Sequence, residues 1–352
     1  MEQKIKVAAA HVAPIYMDAR ATAEKTCRII REAGRDGIQL LVFPESYIPG
    51  FPLWPALSAP IHNHAWFTRF AKQSVHVPGP EILSICAAAR DAGIMVSIGI
   101  SEASDRSVGC LWNTNLLIGA DGAIINHHRK LVPTFFEKLI WANGDANGLR
   151  VVNTPIGKIG ALICGENTNP LARFALMAEG EQIHISSYPP TWPTHDSNEK
   201  NRYDLASSIR IRAGGHSFEG KVFNVVASSR IDQTTLDELS ELGPEVARII
   251  TESPQGISVI IGPDGMPIAE TQAEEDVILS ATVDLDALVV PKQFHDVVGY
   301  YNRFDIFQLN VNRSEMAGVH FDDGGSKPRS LDFEQMERIL GTDSTAEAVS
   351  TK

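Results

Sequence analysis

Cys164 ends the apolar run Ile159-Gly-Ala-Leu-Ile163, and the polar stretch Gly165-Glu-Asn-Thr-Asn-Pro follows it. That order outlines a strand, a tight turn and then a helix. A thiol at such a turn sits where backbone N–H groups and a helix dipole favour thiolate and a developing anion. A lone cysteine is as readily a buried core thiol, so this segment leaves both readings open. A second segment, Leu40-Leu-Val-Phe-Pro-Glu45-Ser-Tyr, delivers a carboxylate to the end of another apolar strand. Glutamate there can take a proton from a thiol and later from water, although a solvated loop glutamate has the same local look. A third, His127-His-Arg-Lys130-Leu-Val-Pro-Thr-Phe-Phe-Glu137, runs from basic residues into an aromatic stretch. Its lysine can meet negative charge on a substrate nitrogen or oxygen, or belong to a surface cluster beside a turn. Each motif is weak alone; the ordered trio is stronger.

Glu45, Lys130 and Cys164, in this order and context, resemble the Glu-Lys-Cys triad of the nitrilase superfamily of carbon–nitrogen hydrolases. The likeness runs from about Lys4 to about Arg313. Three segments resemble the nitrilase branch more than the amidase or carbamoylase branches: Phe43–Trp54, Asn167–Arg173 and Val298–Phe307. The resemblance implies an α/β fold, an α-β-β-α sandwich of two mixed sheets covered by helices. It implies hydrolysis of a nitrile to a carboxylic acid and ammonia through a thioimidate and a thioester. Glu45 would be the base, Lys130 the stabilising cation and Cys164 the nucleophile. Glu137 matches a second family glutamate, thought to position Lys130 or the substrate; the bland alternative is a helix-surface carboxylate paired with Lys138. One departure stands out. Many nitrilases carry tryptophan directly after the nucleophile, whereas this chain has Gly165, whose N–H remains a candidate donor to the intermediate. Tyr47, Trp54, Phe136, Tyr188 and Trp192 lie near the motifs and are candidate pocket walls. The last two belong to the proline-rich segment Ser186–Trp192.

Alternatives within the superfamily are an amidase, a carbamoylase or a cyanide-converting enzyme on the same triad. One from another class is a catalytically silent assembly protein on this fold.

Composition narrows the field. With 43 acidic and 31 basic residues the net charge is −12, and no basic run exceeds Arg129-Lys130 with its two histidines. Nucleic acid calls for clustered basic surface, so none is expected as a partner. No apolar stretch is long enough for a signal peptide or membrane span. Cys27, Cys86, Cys110 and Cys164 show no paired spacing, which fits free thiols in the reducing cytoplasm. Among eleven histidines, His62–His64 and His127–His128 invite a metal reading. No recognised ligand grouping accompanies them, and the triad chemistry calls for no metal and no organic cofactor.

The elements that must position these residues follow from periodicity and punctuation. Strands are expected at 6–13, 39–43, 94–100, 111–118, 123–126, 151–155, 159–164, 182–186, 221–228, 258–261, 267–270 and 278–283. Helices are expected at 21–34 and 80–93, each ending at glycine, at 168–179, and at 198–218 with an interruption at Gly214-Gly215. A single domain is expected over residues 1–321. A C-terminal extension over 322–352 opens with a linker-like stretch and holds a short helix at 331–340; it is mobile or sits at an oligomer contact. The resemblance also implies a homo-oligomer built from dimers, possibly extending to a spiral. Helix 168–179 is the candidate face, through Leu171, Phe174, Ala175 and Ala178 at helical spacing.

Overall fold

A computed structural model of the chain describes residues 4–195, 199, 202–315, 331 and 333–340. Residues Met1–Glu315 form one compact unit and Met316–Lys352 a second. In the second, the described element is the helix Phe333–Leu340; the linker-like stretch lies outside the described residues. No helix among the described residues is long and apolar enough to cross a membrane.

Among its described residues the first unit holds twelve strands: β1 (Lys4–His11), β2 (Leu40–Val42), β3 (Met95–Ala103), β4 (Leu111–Ile118), β5 (Ile124–Arg129), β6 (Val152–Thr154), β7 (Gly157–Ile163), β8 (Ile183–Tyr188), β9 (Phe223–Ser228), β10 (Ser258–Ile261), β11 (Pro267–Thr271) and β12 (Val277–Asp284). They form two six-stranded sheets, ordered β12-β1-β2-β3-β4-β5 and β11-β10-β9-β8-β7-β6. Each sheet has three parallel strands at its centre, β1-β2-β3 and β7-β8-β9. Antiparallel strands flank them on both sides.

Helices α1 (Ala19–Arg35), α2 (Trp54–Leu57), α3 (His64–Gln73), α4 (Pro80–Ala92), α5 (Pro170–Ala178), α6 (Leu205–Gly220), α7 (Gln233–Ser240), α8 (Val246–Glu252) and α9 (Val289–Phe294) complete the unit. Along β1 alternate side chains point to opposite faces. Ala8 and Ala10 pack with Ala23, Cys27 and Ile30 of α1 and Ile85 and Ala89 of α4. Val7 and Ala9 face the other sheet and meet Ile183, Ile185, Val225 and Ile260. Beyond the second sheet, Leu162 packs on Ala172, Ala175 and Leu176 of α5, and Val226 and Val259 join Ile209 and Ala213 of α6 in one core. Burying a Val, Leu or Ile contributes roughly 1.5–3 kcal/mol, so the apolar runs enforce the layering. It is the expected α-β-β-α sandwich.

Caps close the helices as composition suggests. The Asp18 side chain accepts Ala21 N–H, and Gly93 ends α4 with φ 67°. Two expectations need correction. The 198–218 helix begins at Leu205, capped by Asp204, and runs unbroken through Gly214-Gly215 to Gly220. Gly214 is there for close approach: a Cβ on it would lie 2.9 Å from the Gly265 carbonyl oxygen in the β10–β11 turn. The 168–179 helix is shorter, because Cys164–Thr168 is a separate 3-10 turn and Asn169 caps α5 at Pro170. The short helices α2, α3, α7, α8 and α9 are not among the expected elements. Val298–Phe307 forms turns and irregular chain with exposed aromatics, Tyr300 and Tyr301 among them.

Candidate active site

Four strand ends converge. Glu45 follows β2, Lys130 directly follows β5, Cys164 directly follows β7, and Tyr188 is the last residue of β8. The loop after β2 can press against β3 because residue 99 is glycine. A Cβ there would lie 2.3 Å from the Pro44 carbonyl oxygen and 2.8 Å from Glu45 Cα. Lys130 is fixed by its own N–H, donated to the Asn113 carbonyl at 2.7 Å. Its ammonium donates to Glu45 Oε1 at 2.6 Å and to the Glu137 oxygens at 2.9 and 2.7 Å, with all three side chains buried. Asn113 Nδ2 donates to the same Glu45 oxygen at 2.7 Å. Glu45 Oε2 is buried with no hydrogen-bond partner. One ligand atom each of Glu45, Glu137 and Cys164 lies within 4.8 Å of the others. Glu45 therefore sets beside the thiol a carboxylate with one oxygen free to accept.

The loops carry their residues in unusual backbone. Cys164 has φ 49°, Ser46 after Glu45 has φ 45°, and Phe135, two before Glu137, has φ 49°. Left-handed conformations at non-glycine residues cost about 1–3 kcal/mol each and persist where surroundings over-determine them. Here the Thr134 N–H donates to Glu137 at 2.9 Å and locks that turn. Glu166 accepts the N–H groups of Ile163 and Leu131 at 2.7 and 2.6 Å and meets His128 Nε2 at 3.0 Å. This one carboxylate straps the Cys164 turn to the segment after Lys130.

Electrostatics corrects one expectation. Burial pushes the Cys164 thiol well above its ordinary value, Glu45 adds to the rise, and Lys130 only partly opposes it. The turn after Cys164 is a five-residue 3-10 segment, and the α5 dipole starts six residues away. These surroundings hold the Cys164 thiol toward its neutral form, so any attack by its sulfur would need a base. Burial favours a neutral Lys130, but Glu137 and then Glu45 outweigh it and raise its pKa above the ordinary lysine value. Burial lifts Glu137 out of the usual carboxylate range to about 7, with Lys130 opposing and Glu45 reinforcing.

Other candidate residues divide. Trp54, Tyr188 and Trp192 share one buried cluster with Cys164. Trp192 stacks on Phe136 at 4.4 Å, and Phe51 meets both rings at 6.1 and 6.4 Å. The Tyr188 hydroxyl and Trp54 Nε1 are buried without partners. Tyr47 is not brought to the site: it lies in the α1/α4 core, its hydroxyl donates to the Ala13 carbonyl at 3.1 Å, and its ring meets Phe43. A Cβ on Gly165 would lie 2.9 Å from Thr134 Oγ1, so the Glu137 turn occupies the space next to Cys164. Glu137 is fully buried on Lys130, unlike a surface carboxylate. Of the histidines, His62 and His64 are exposed, His127 pairs with Glu102 and His128 with Glu166. Asn113, Gly99, Thr134 and Glu166 carried no assigned role in the sequence. The signal available for Asn113 is the polar run Asn113-Thr114-Asn115 inside an otherwise apolar strand.

The carbon–nitrogen hydrolase family model matches residues 6–290. The chain belongs to that family. It is 37% identical over 330 residues to "Nitrilase 3" of an unknown prokaryotic organism, with 90% of this chain and 92% of that one covered. It is 33% identical to the arylacetonitrilase of Hypocrea virens, covering 89% and 93% of the two chains. To the aliphatic nitrilase of Rhodococcus rhodochrous it is 34% identical, covering 90% and 84%. Among solved structures, the Helicobacter pylori carbon–nitrogen hydrolase superposes with TM-score 0.65 at 19% identity, over 83% of this chain and 93% of that one. A Saccharomyces cerevisiae member of branch 10 of the nitrilase superfamily gives 0.65 at 18%, over 86% and 97%. These two likenesses concern the fold.

Proposed function

We propose that this carbon–nitrogen hydrolase is a nitrilase, converting an organic nitrile and two waters to a carboxylic acid and ammonia. The observation that carries the mechanism is the buried Lys130 ammonium between Glu45 and Glu137, with the Glu45 carboxylate, one oxygen of it unpartnered, beside Cys164. The identity to curated nitrilases over about nine-tenths of the chain supports the substrate class. Glu45 Oε2 takes the thiol proton as sulfur attacks the nitrile carbon. Charge building on nitrogen is met by Lys130 and by the Gly165 N–H. Glu45 passes that proton to the nitrile nitrogen, which gives the thioimidate and restores the carboxylate. The carboxylate then takes a proton from water as it adds to the thioimidate carbon and hands it to nitrogen, the C–N bond breaks, ammonia leaves and a thioester remains. A second water, deprotonated in the same way, hydrolyses the thioester and returns the proton to the Cys164 sulfur. Trp54, Tyr188, Trp192, Phe136 and Phe51 wall the acyl side, which suits an apolar substituent. The test is ammonia release from a panel of aliphatic, aromatic and arylacetonitriles beside the matching amides. Turnover of amides with none of any nitrile would overturn the reading in favour of an amidase.

The raised Glu137 carboxyl predicts the pH profile. Glu137 shares the Lys130 ammonium with Glu45, so lowering the pH protonates Glu137 before an ordinary glutamate would titrate. The site then loses the carboxylate that holds Lys130 in place, and turnover falls with it. The acid limb of kcat/KM is expected near pH 7, well above the glutamate range. Glu137→Gln removes the neighbouring negative charge and should move the limb to lower pH. An unmoved limb would show that Glu137 is not coupled to the base.

We read the oligomer as built through α5. Ala175 is buried on the chain's own sheet, but Leu171 is 60% exposed, Ala178 is exposed and Phe174 is half-buried. A cavity of about 480 Å³ beside them is lined by Phe304, Phe307, Leu309 and Val311. Leu171→Asp should reduce the mass by light scattering toward that of one chain and lower kcat severalfold, since Asn169 caps α5 directly after the nucleophile turn. A fully active monomer would contradict this coupling. A cytoplasmic setting is supported by the four cysteines, all free.

A further inference from the structure

Behind the nucleophile turn lies a buried polar cluster that the triad chemistry does not use. Glu181 precedes β8, His184 lies on β8, His216 on α6 and Asn167 in the 3-10 turn; all are buried. Glu181 Oε1 is 2.6 Å from His184 Nδ1, and Oε2 is 2.7 Å from His216 Nε2. The two imidazoles stack at 3.7 Å. An ion held tetrahedrally at about 2.0–2.2 Å would spread its ligands to roughly 3.3 Å, so these spacings describe hydrogen bonds. The cluster is built in: a Cβ on Gly160 of β7 would lie 2.0 Å from Glu181 Oε1, so only glycine lets the carboxylate lie there.

The hydrogen bonds, with Glu181 ionised, leave one arrangement of protons. Asn167 Nδ2 faces two carbonyl oxygens, of Cys164 at 3.1 Å and Leu162 at 3.3 Å. A flipped amide would set oxygen against both, so Oδ1 points to His184 Nε2 at 2.9 Å. An amide oxygen only accepts, so His184 Nε2 carries a proton. His184 Nδ1 faces a carboxylate, which also accepts. Burial would raise Glu181, but His184 and His216 outweigh it and hold it at about 2, in its ionised form. Both nitrogens of His184 therefore bear protons. His216 is neutral: burial and then His184 push it down to about 4, and its Nδ1 has no partner. Arg173 of α5 and Lys292 of α9 are the other charged groups acting on the cluster.

We propose that Glu181, an imidazolium His184 and Asn167 form a buried positioning relay that holds the Cys164 carbonyl and so fixes the left-handed nucleophile turn. Its catalytic consequence rests on Cys164 being the nucleophile; its protonation state does not. The relay acts through its chain of hydrogen bonds. Glu181→Gln can keep that chain, its amide donating to a neutral His184 and accepting from His216, whereas Glu181→Ala cannot.

Neutron diffraction on crystals of the full-length enzyme at neutral pD should show deuterons on both His184 nitrogens. A single deuteron overturns the proposal whether or not any variant folds. In solution, Asn167→Ala and Glu181→Ala should lower kcat about a hundredfold, the scale of an ångström misplacement, with KM within about twofold. Glu181→Gln should restore kcat to within a few-fold of wild type. Iodoacetamide capture of Cys164, followed by mass spectrometry, should slow in the same order. It reads the thiol's placement without any nitrile, so a failed nitrile assay with altered capture separates the substrate reading from the relay. Wild-type kcat and capture in folded Asn167→Ala overturn the relay.

Discussion

Cys164→Ala should abolish turnover while leaving the sandwich folded. The side chain is small and buried, and alanine keeps Cβ in the left-handed turn, so the turn held by Asn167 and Glu166 survives. Covalent catalysis, however, has no substitute nucleophile: removing one from a cooperating set costs on the order of a millionfold in kcat. Cys164→Ser should be nearly as damaging, because a hydroxyl next to the same base is a poorer nucleophile. With a slow nitrile, mass spectrometry should place an acyl or imidate adduct on the Cys164 peptide. Activity surviving Cys164→Ala, with the adduct on Cys27, Cys86 or Cys110, would remove the mechanism.

Lys130→Ala should produce the second large effect, and it should be double. Loss of one preorganised electrostatic stabiliser costs about a hundredfold to a thousandfold in rate. It also leaves Glu45 and Glu137 buried together without their shared cation. Breaking a buried ion pair by removing one partner costs about 3–5 kcal/mol. Denaturant unfolding should register that loss. Adding Glu137→Gln to Lys130→Ala removes one uncompensated charge, so stability should partly return while activity does not. Recovery of both in the double variant would mean that Lys130 serves only to hold the fold together.

Much of this protein was legible along the chain. Apolar period and glycine or proline punctuation placed most strands and the helices α1, α4 and α5 within a few residues, because these signals are local. The trio Glu45, Lys130 and Cys164 was legible because Glu45 and Cys164 stand at the ends of strand-like runs, Lys130 leads into an aromatic stretch, and the ordered set matches a family motif. What packing settled was everything that depends on separation in space. Glu45 and Lys130 are 85 residues apart yet bonded at 2.6 Å. β12 returns to pair along the whole of β1, a register no local pattern specifies. Tyr47 looked like a pocket residue by position and turned to the outer core, because its side of the loop faces α1. The thiol stands where a helix dipole could favour thiolate, yet burial pushes it the other way, because desolvation depends on what closes over it. Gly99, Gly160 and Gly214 are intelligible only by the atoms that press against them. Residue order dictates hydrogen-bonding and hydrophobic period over a few neighbours. Burial, proton placement and the meeting of distant loops are properties of the packed whole.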